Sequence, residues 1–306
     1  MIDVSSKFNT LRYARAEGKL YCLPETLECV KACDVPKGDV LEVARAAGIT
    51  AAKRTSEWMV FCHPIPLDWV EVTISVEDGY LLVTGEVRAI WRTGVEMEAL
   101  TAVSAALLNI YDMLKPLDEQ LRIGELELVE KKGGKSDYTE VMAEPLTAAV
   151  VVISTSTHTG DRQDRSGKAI QEFLQSQPVE IVAYEVIPDV RDQIENKLKE
   201  LADTRDVKLI LTTGGTGLGP SDLTPEATRA VIEHEVSGIS EAIRRYGQDR
   251  TPFAMLSRGI SGVRGNALII NLPGSTRGAI ESLQALFPGL LHAFPMMGGG
   301  GHGHGK

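Results

Sequence analysis

Glu96, Glu98, Asp112 and Lys115 stand at the two ends of the stretch Thr93–Lys115, TGVEMEALTAVSAALLNIYDMLK, whose middle is almost wholly apolar. Carboxylates and amines in such positions can move protons or hold a charged substrate. From Ala99 to Leu114 the apolar residues, Leu107, Leu108 and Ile110 among them, cover every face of a helix, and a helix hydrophobic all round is a buried one. The four charges are therefore expected at the rims of something buried. At about 100° and 1.5 Å per residue, Glu98 and Asp112 lie within roughly 40° of each other but about 21 Å apart along the axis. One copy cannot bring both to one substrate. Either the two ends serve separate pockets, or a second copy packs antiparallel and joins the Glu end of one chain to the Asp-Lys end of another, as a twofold interface does. A plainer reading makes all four solvated helix ends, with Lys115 suited to the C-terminal dipole.

Other residues of the first half could support such chemistry. Lys37 precedes a helix, Lys53 lies in a second short one, and His63 sits between Cys62 and Pro64; a lone histidine is more often structural than functional. Lys131 and Lys135 flank Gly133 and Gly134, which form either a flexible exit or an anion clamp. Lysines concentrated in a chain of net charge -10 suggest a polyanionic substrate. In the second half, the strand-like VKLILTT runs into Gly214-Gly215-Thr216-Gly217-Leu218-Gly219-Pro220-Ser221-Asp222. A glycine-rich loop between strand and helix lets backbone amides cradle phosphate, although this one has neither the GK[ST] nor the GxGxxG pattern. Asp222 in the loop and Asp189 after another strand both belong to the carboxyl edge of a parallel sheet, where ligands bind. Asp189 is also a candidate helix cap.

Behind these residues stand two sets of elements, as 306 residues exceed what one core usually serves. The first set opens with a weakly patterned segment and a short amphipathic helix within residues 1–36. It continues with a helix VLEVARAAG stopped by Gly48, a second short helix ITAAKRTSEW and an extended MVFCHPIPL. WVEVTISV and YLLVTGEVRAI alternate at period two around Glu77-Asp78-Gly79, a β-hairpin, and LRIGELELVEKK returns to strand patterning after the long helix. This predicts an α+β domain with an antiparallel sheet covered on one face. Periodicity lapses over 138–147, the expected linker between domains 1–137 and 148–297. The runs AAVVVIS, VEIVAYEVIP and VKLILTT then alternate with helices, which implies a parallel sheet covered on both faces. Thr224 reads as the N-cap of the helix after the glycine loop, with Pro225 at N1. Cys22, Cys29, Cys33 and Cys62 read as reduced thiols. The acidity argues against a nucleic-acid partner. The lack of an 18-residue apolar run or a signal pattern after Met1 predicts a cytoplasmic protein without membrane association. The tail 298–306 carries His302 and His304 in a low-complexity run.

The blocks KGDV, AGITAAKRT, CHP, TGVEMEALTAVS, YDMLK and KKGGKS, in this order, resemble the cyclic pyranopterin monophosphate synthase family, molybdenum cofactor biosynthesis protein C, over residues 1 to about 137. The resemblance implies a ferredoxin-like fold, a hexamer built from dimers with active sites at the dimer interface, and no tightly bound cofactor. It further implies conversion of 3′,8-cyclo-7,8-dihydro-GTP, a GTP-derived cyclic purine nucleotide, into cyclic pyranopterin monophosphate and pyrophosphate. On that basis Lys115 and Asp112 are assigned to proton transfer, supported by Lys37 and His63. Lys53, Lys131 and Lys135 are assigned to the triphosphate, with Cys62, Glu96, Met97 and Glu98 as further substrate contacts. Val60, Leu114 and Pro116 depart from the family pattern without removing a titratable group.

TTGGTG, SDLTPEAT, SRGISGVRGNALIINLPGS and the opening SxxxxxGxxxDxSG resemble the molybdopterin-binding family that includes molybdenum cofactor biosynthesis protein B and molybdopterin adenylyltransferase, over residues 148 to about 294. This implies a three-layer α/β fold, typically trimeric, in which Asp164, Asp189 and Asp222 are functional acids and Asp222 holds Mg²⁺ with ATP. Gly214, Gly215, Thr216 and Gly217 would contact substrate, and Gly274 and Ser275 would offer a helix N-terminus to the molybdopterin phosphate. Ser154-Thr155 departs from a common Ser-Asp. Two activities in one chain are thereby expected, with a non-catalytic second domain as the alternative.

Overall fold

Small residues at every second position make Thr10–Tyr21 a strand, β1, with Arg12, Ala14, Ala16, Gly18 and Leu20 all buried. The expectation of a weakly patterned segment here is corrected. Alanine and glycine carry little strand propensity, but their smallness is what the overlying helix requires. A Cβ on Gly18 would stand 2.7 Å from Leu107 and 2.9 Å from Val103. The computed structural model describes residues 1–140, 142 and 144–298, apart from the side chains of 135 and 136. The tail histidines and the Lys135 side chain thus lie outside the described residues.

Two units compose the chain, Met1–Tyr138 and Thr139–Lys306. In the first, the helices α1 (Pro24–Lys31), α2 (Val40–Ala52) and α3 (Thr55–Trp58) follow β1. Strands β2 (Trp69–Glu77) and β3 (Tyr80–Trp91), helix α4 (Glu96–Leu114) and strand β4 (Arg122–Lys132) complete it. The sheet is antiparallel in the order β2-β3-β1-β4. Glu77 pairs with Tyr80 across a two-residue turn, where Gly79 supplies the φ of +84° that such hairpins need.

Asp39 caps α2, accepting from the amides of Leu41 and Glu42 at 3.0 Å each. The helix does not stop at Gly48. It continues to Ala52, and Gly48 marks its crossing with α4, where a Cβ would lie 2.8 Å from the Ala102 carbonyl oxygen. The second helix expected from Ile49 shrinks accordingly to α3.

Helix α4 is long and apolar enough to cross a membrane by length and composition, but 56% of its apolar window is buried inside the domain. It lies on the sheet through Ala99, Val103, Ala106 and Ile110. Burial on every face was expected, yet within one chain a stripe stays open, with Leu108 58% and Tyr111 38% exposed.

The second unit runs β5 (Leu146–Ile153), α5 (Thr155–His158), α6 (Ser166–Leu174), β6 (Val179–Ile187), α7 (Arg191–Lys199), β7 (Leu209–Thr213), α8 (Thr224–Val231), β8 (His234–Glu235), α9 (Ser237–Gln248), β9 (Ser261–Arg264), β10 (Ala267–Leu272), α10 (Thr276–Leu286) and α11 (Ala293–Met297). Its sheet has the order β6-β5-β7-β10-β9-β8, parallel through β10 and antiparallel beyond. Alternate residues of β5 enter two cores: Ala148 and Val150 face α6 and α10, while Ala149, Val151 and Ile153 face α7 and α8. This is why the strand reads as one apolar run.

Candidate functional site

Glu96 and Glu98 open α4, and the chain turns them differently. Glu96 is partly exposed, while Glu98 points inward and is only 3% exposed. Burial, helped by the neighbouring Glu96, pushes the Glu98 carboxyl up to about 7 against its own backbone hydrogen bond. A carboxyl near neutrality can give or take a proton at working pH. It lines a cavity of about 580 Å³ together with Lys7, Cys62, His63, Glu96 and Met97. Burial and then Glu98 raise the Cys62 thiol above its usual range, so it stays protonated. His63 Nε2 lies 3.0 Å from the Ile2 carbonyl oxygen, and Lys131 Nζ stands 3.8 Å from Glu96.

At the other end of α4, Asp112 is gripped by two lysines. Lys37 Nζ donates to its carboxylate at 2.7 Å and to its carbonyl oxygen at 2.8 Å, and Lys115 reaches the other carboxylate oxygen at 2.7 Å. Lys115 first, then Lys37, holds the Asp112 carboxyl down to about 2, and Asp112 in turn raises Lys115. Both groups are charged at neutral pH, a cationic site ready for an anion. The expected residues thus fall into two clusters, one at each end of α4 and about 21 Å apart by helical rise. Lys53, the exposed C-cap residue of α2, is grouped with neither cluster by any ion pair among the described residues.

In the second unit, candidate residues gather where the four parallel strands end. After β7, Gly214 and Gly215 adopt φ of +105° and +61°. A Cβ on Gly214 would stand 2.2 Å from the Ile153 carbonyl oxygen at the end of β5. Gly274, beyond β10, packs on the same Gly214 backbone, and Thr213 Oγ1 donates to the Pro273 carbonyl at 2.8 Å. Ser275 caps α10, accepting from Gly278 N at 3.2 Å. Gly214 is therefore obligatory, because backbone meets backbone there, and a Cβ on Gly215 would stand 2.3 Å from Thr224 Oγ1.

Two caps expected from sequence turn out to be other devices. Helix α8 begins at Thr224 with Leu223 as its N-cap, and Thr224 Oγ1 instead donates to the Gly214 carbonyl at 2.9 Å. Helix α7 begins at Arg191 with Val190 as N-cap. Asp189 is consequently available to Thr155, whose amide and hydroxyl donate to one carboxylate oxygen at 2.7 and 3.0 Å. Its other oxygen faces Gly215. Asp222 accepts from Gly219 N at 2.8 Å through one oxygen. Asp164 is occupied locally, accepting from Gly167 N at 2.9 Å and from the Tyr184 hydroxyl, a bond that with burial raises the Tyr184 pKa. It pins α6 to β6.

Sequence reasoning assigned no role to Arg258 and placed Thr155 only as a departure. Arg258 touches the glycine loop at three points: its amide donates to Thr216 O at 3.0 Å, Nε to Gly217 O at 2.6 Å and Nη2 to Asp222 O at 2.5 Å. The signal available was its place within SRGISG, next to a loop whose carbonyls need donors.

Comparisons with known proteins bear on both units. The MoaC family model matches residues 1–134, and the model described as a probable molybdopterin binding domain matches 149–292. A molybdenum cofactor biosynthesis bifunctional protein of Chlorobaculum tepidum is 40% identical over 302 residues, 99% of this chain and 96% of the relative. A cyclic pyranopterin monophosphate synthase of Aquifex aeolicus is 50% identical over 137 residues, 45% of this chain and 54% of the relative. Among solved structures, the molybdopterin biosynthesis enzyme MoaB of Thermus thermophilus is 47% identical, covering 50% of this chain and 97% of its own at a TM-score of 0.49. The chain belongs to the bifunctional molybdenum cofactor biosynthesis proteins, with a MoaC domain followed by a domain of the MoaB and MogA type.

Proposed function

We propose that the first domain converts 3′,8-cyclo-7,8-dihydro-GTP into cyclic pyranopterin monophosphate and pyrophosphate, and that the second transfers AMP from Mg-ATP to the terminal phosphate of molybdopterin with release of pyrophosphate. The observation that carries the first activity is Glu98, a carboxyl buried to near neutrality in a cavity it shares with Cys62, His63 and Glu96. Rearrangement of a purine-derived ring needs an acid and a base, and loss of pyrophosphate needs cations. Lys37, Lys115 and Lys131 supply these, with Lys53 and Lys135 at the triphosphate. The strand order of this domain, with its β-α-β-β-α-β succession, supports reading it as ferredoxin-like. Division into 1–137, a linker 138–147, 148–297 and a tail goes with this reading.

The second activity rests on the phosphate cradle of Gly214–Gly217 with Asp189 and Asp222 at its rim and the α10 N-terminus alongside. Among the described residues no three His, Cys, Asp or Glu side chains group as a metal cage. Mg²⁺ carried by a nucleotide needs only one or two carboxylates beside phosphates and water. Asp222 fits, since only one of its oxygens is taken, by Gly219 N. The ion would neutralise phosphate charge as AMP transfers; Asp222 would hold it and the loop amides would hold the phosphates. A binding module without turnover is the second reading, because Asp164 is engaged in local bonds.

We further read the molecule as a cytoplasmic homo-hexamer. The open stripe with Leu108 and Tyr111 on α4 suits an antiparallel copy, which would bring the Glu98 end of one chain to the Asp112-Lys115 end of another. Purified protein incubated separately with the cyclised GTP derivative and with molybdopterin plus Mg-ATP tests the two activities one at a time. Light scattering that finds a monomer at micromolar concentration refutes the shared site.

A further inference from the structure

Arg258 enters neither activity as described, yet its guanidinium bridges two carbonyls of the glycine loop. It reaches the carbonyls of Gly217 and Asp222, the two ends of the loop segment that carries the Asp222 carboxylate. Its amide ties to Thr216. The head is steered by Glu226 on α8, which accepts from Nη1. The remaining Glu226 oxygen is shut away from solvent with no hydrogen-bond partner, so Arg258 is the side chain that holds this carboxylate by a direct hydrogen bond. Between Gly217 and Asp222 the loop is otherwise crossed by two short bonds, Asp222 N to Gly219 O at 3.1 Å and Gly219 N to the Asp222 carboxylate at 2.8 Å. Neither bond reaches the body of the domain.

A five-donor planar head is suited to this task in a way an ammonium is not, because two fixed N–H directions must meet two carbonyls at once. Glycines at 217 and 219 leave those two positions without a side chain to anchor the loop. A Cβ at either would press the Asp222 carboxylate, at 2.9 and 2.8 Å. Gly217 and Gly219 thus leave room for Asp222 to fold over the loop, and Arg258 supplies an anchor from outside it.

We propose that Arg258 is a positioning residue for the adenylyl-transfer site: it fixes the glycine loop at both ends, and through it the direction in which Asp222 presents its free oxygen to the nucleotide's phosphates and Mg²⁺. The proposal rests on the adenylylation reading of the second domain and adds to it the residue that sets its geometry. Displacement of a catalytic group by about 1 Å costs on the order of 100-fold in rate. Arg258→Lys should therefore lower kcat for AMP transfer about 100-fold while leaving the KM for molybdopterin within threefold. Arg258→Ala should regain activity on addition of guanidinium or ethylguanidinium ion, which can re-occupy the two carbonyls, and not on addition of ammonium. The double variant Arg258→Lys/Asp222→Asn should be no slower than Asp222→Asn alone, since both act through one carboxylate.

Hydrogen exchange of the full chain supplies a readout independent of turnover. Arg258→Lys should speed exchange of the 215–222 amides at least tenfold and leave β7 and α10 unchanged. Fast exchange throughout the second domain would make Arg258 a general stabiliser and overturn the proposal. So would additive losses in the double variant, or an equal rise in KM for molybdopterin. If the unmodified protein transfers no AMP, the adenylylation reading fails by itself. The loop anchor is then judged by exchange alone, upheld by selective loosening of 215–222 and overturned by its absence.

Discussion

Replacement of Glu98 by glutamine tests the first site through the stability of its domain. Glu98 is 3% exposed and its carboxyl is raised from 4.5 to about 7. The folded domain therefore binds this proton more tightly than the unfolded chain does. Stability from the group is fully present below pH 4.5 and is lost as pH rises to about 7. Each pH unit of such a difference is worth about 1.4 kcal/mol, so ionised Glu98 costs the domain about 3 kcal/mol at pH 8. Glutamine keeps the shape and never ionises. Glu98→Gln should match the unmodified protein at pH 4 to 4.5 and exceed it by up to about 3 kcal/mol at pH 8, while cyclic pyranopterin monophosphate formation is lost. All three tryptophans, Trp58, Trp69 and Trp91, lie in the first unit, so urea titration followed by tryptophan emission reports this domain within the full chain. A stability gap that does not change between pH 4.5 and 8 refutes the assignment of Glu98 as the buried titrating group.

Lys115→Ala should abolish pyranopterin formation while light scattering shows an unchanged assembly; normal turnover removes Lys115 from the mechanism, and dissociation makes its role structural. Asp222→Asn should suppress AMP transfer more than it weakens molybdopterin binding by calorimetry, since a carboxylate that orients Mg²⁺ acts on the nucleotide; equal losses in both count against this. Gly48→Ala should lower first-domain stability by about 1 kcal/mol and at most about 2 kcal/mol, because crowding the Ala102 carbonyl costs about 1–3 kcal/mol against a helix gain of about 1 kcal/mol. A urea midpoint that stays put or rises would show that α2 shifts to make room.

What could be read from sequence was whatever announced itself by local chemistry. Asp78-Gly79 between two period-two runs marked the hairpin, and the glycine run between strand and helix marked the tight loop after β7, because each depends on a backbone conformation few residues adopt. Strand β1 escaped because its inward side is Ala14, Ala16 and Gly18, chosen for closeness to α4 and not for strand propensity. Gly48 misled for the same reason: a glycine that admits a crossing helix looks, in one dimension, like a glycine that ends one. Arg258 and Thr155 were invisible as site residues because their partners lie 36 and 34 positions away in sequence. Only the folded sheet edge brings them together.

The two domains solve the placement of charge in opposite ways. In the first, side chains carry the chemistry: the wall around Glu98 raises a carboxyl to near 7 and the lysines around Asp112 lower another to about 2, although both sit on one helix. Environments that push like groups apart suit the acid and the charged anchor proposed for the two, and a rigid helix keeps them from collapsing onto each other. The separation this enforces is about 21 Å, too great for one small substrate to touch both ends within one chain, and it is this distance that the proposed antiparallel pairing would close. In the second domain the backbone carries the charge, as amides bared by glycines. Side chains such as Arg258, Thr155 and Thr224 are spent on holding that backbone still. Substitutions should accordingly change pH dependence in the first domain and geometry in the second, which is the difference that the Glu98 and Arg258 variants measure.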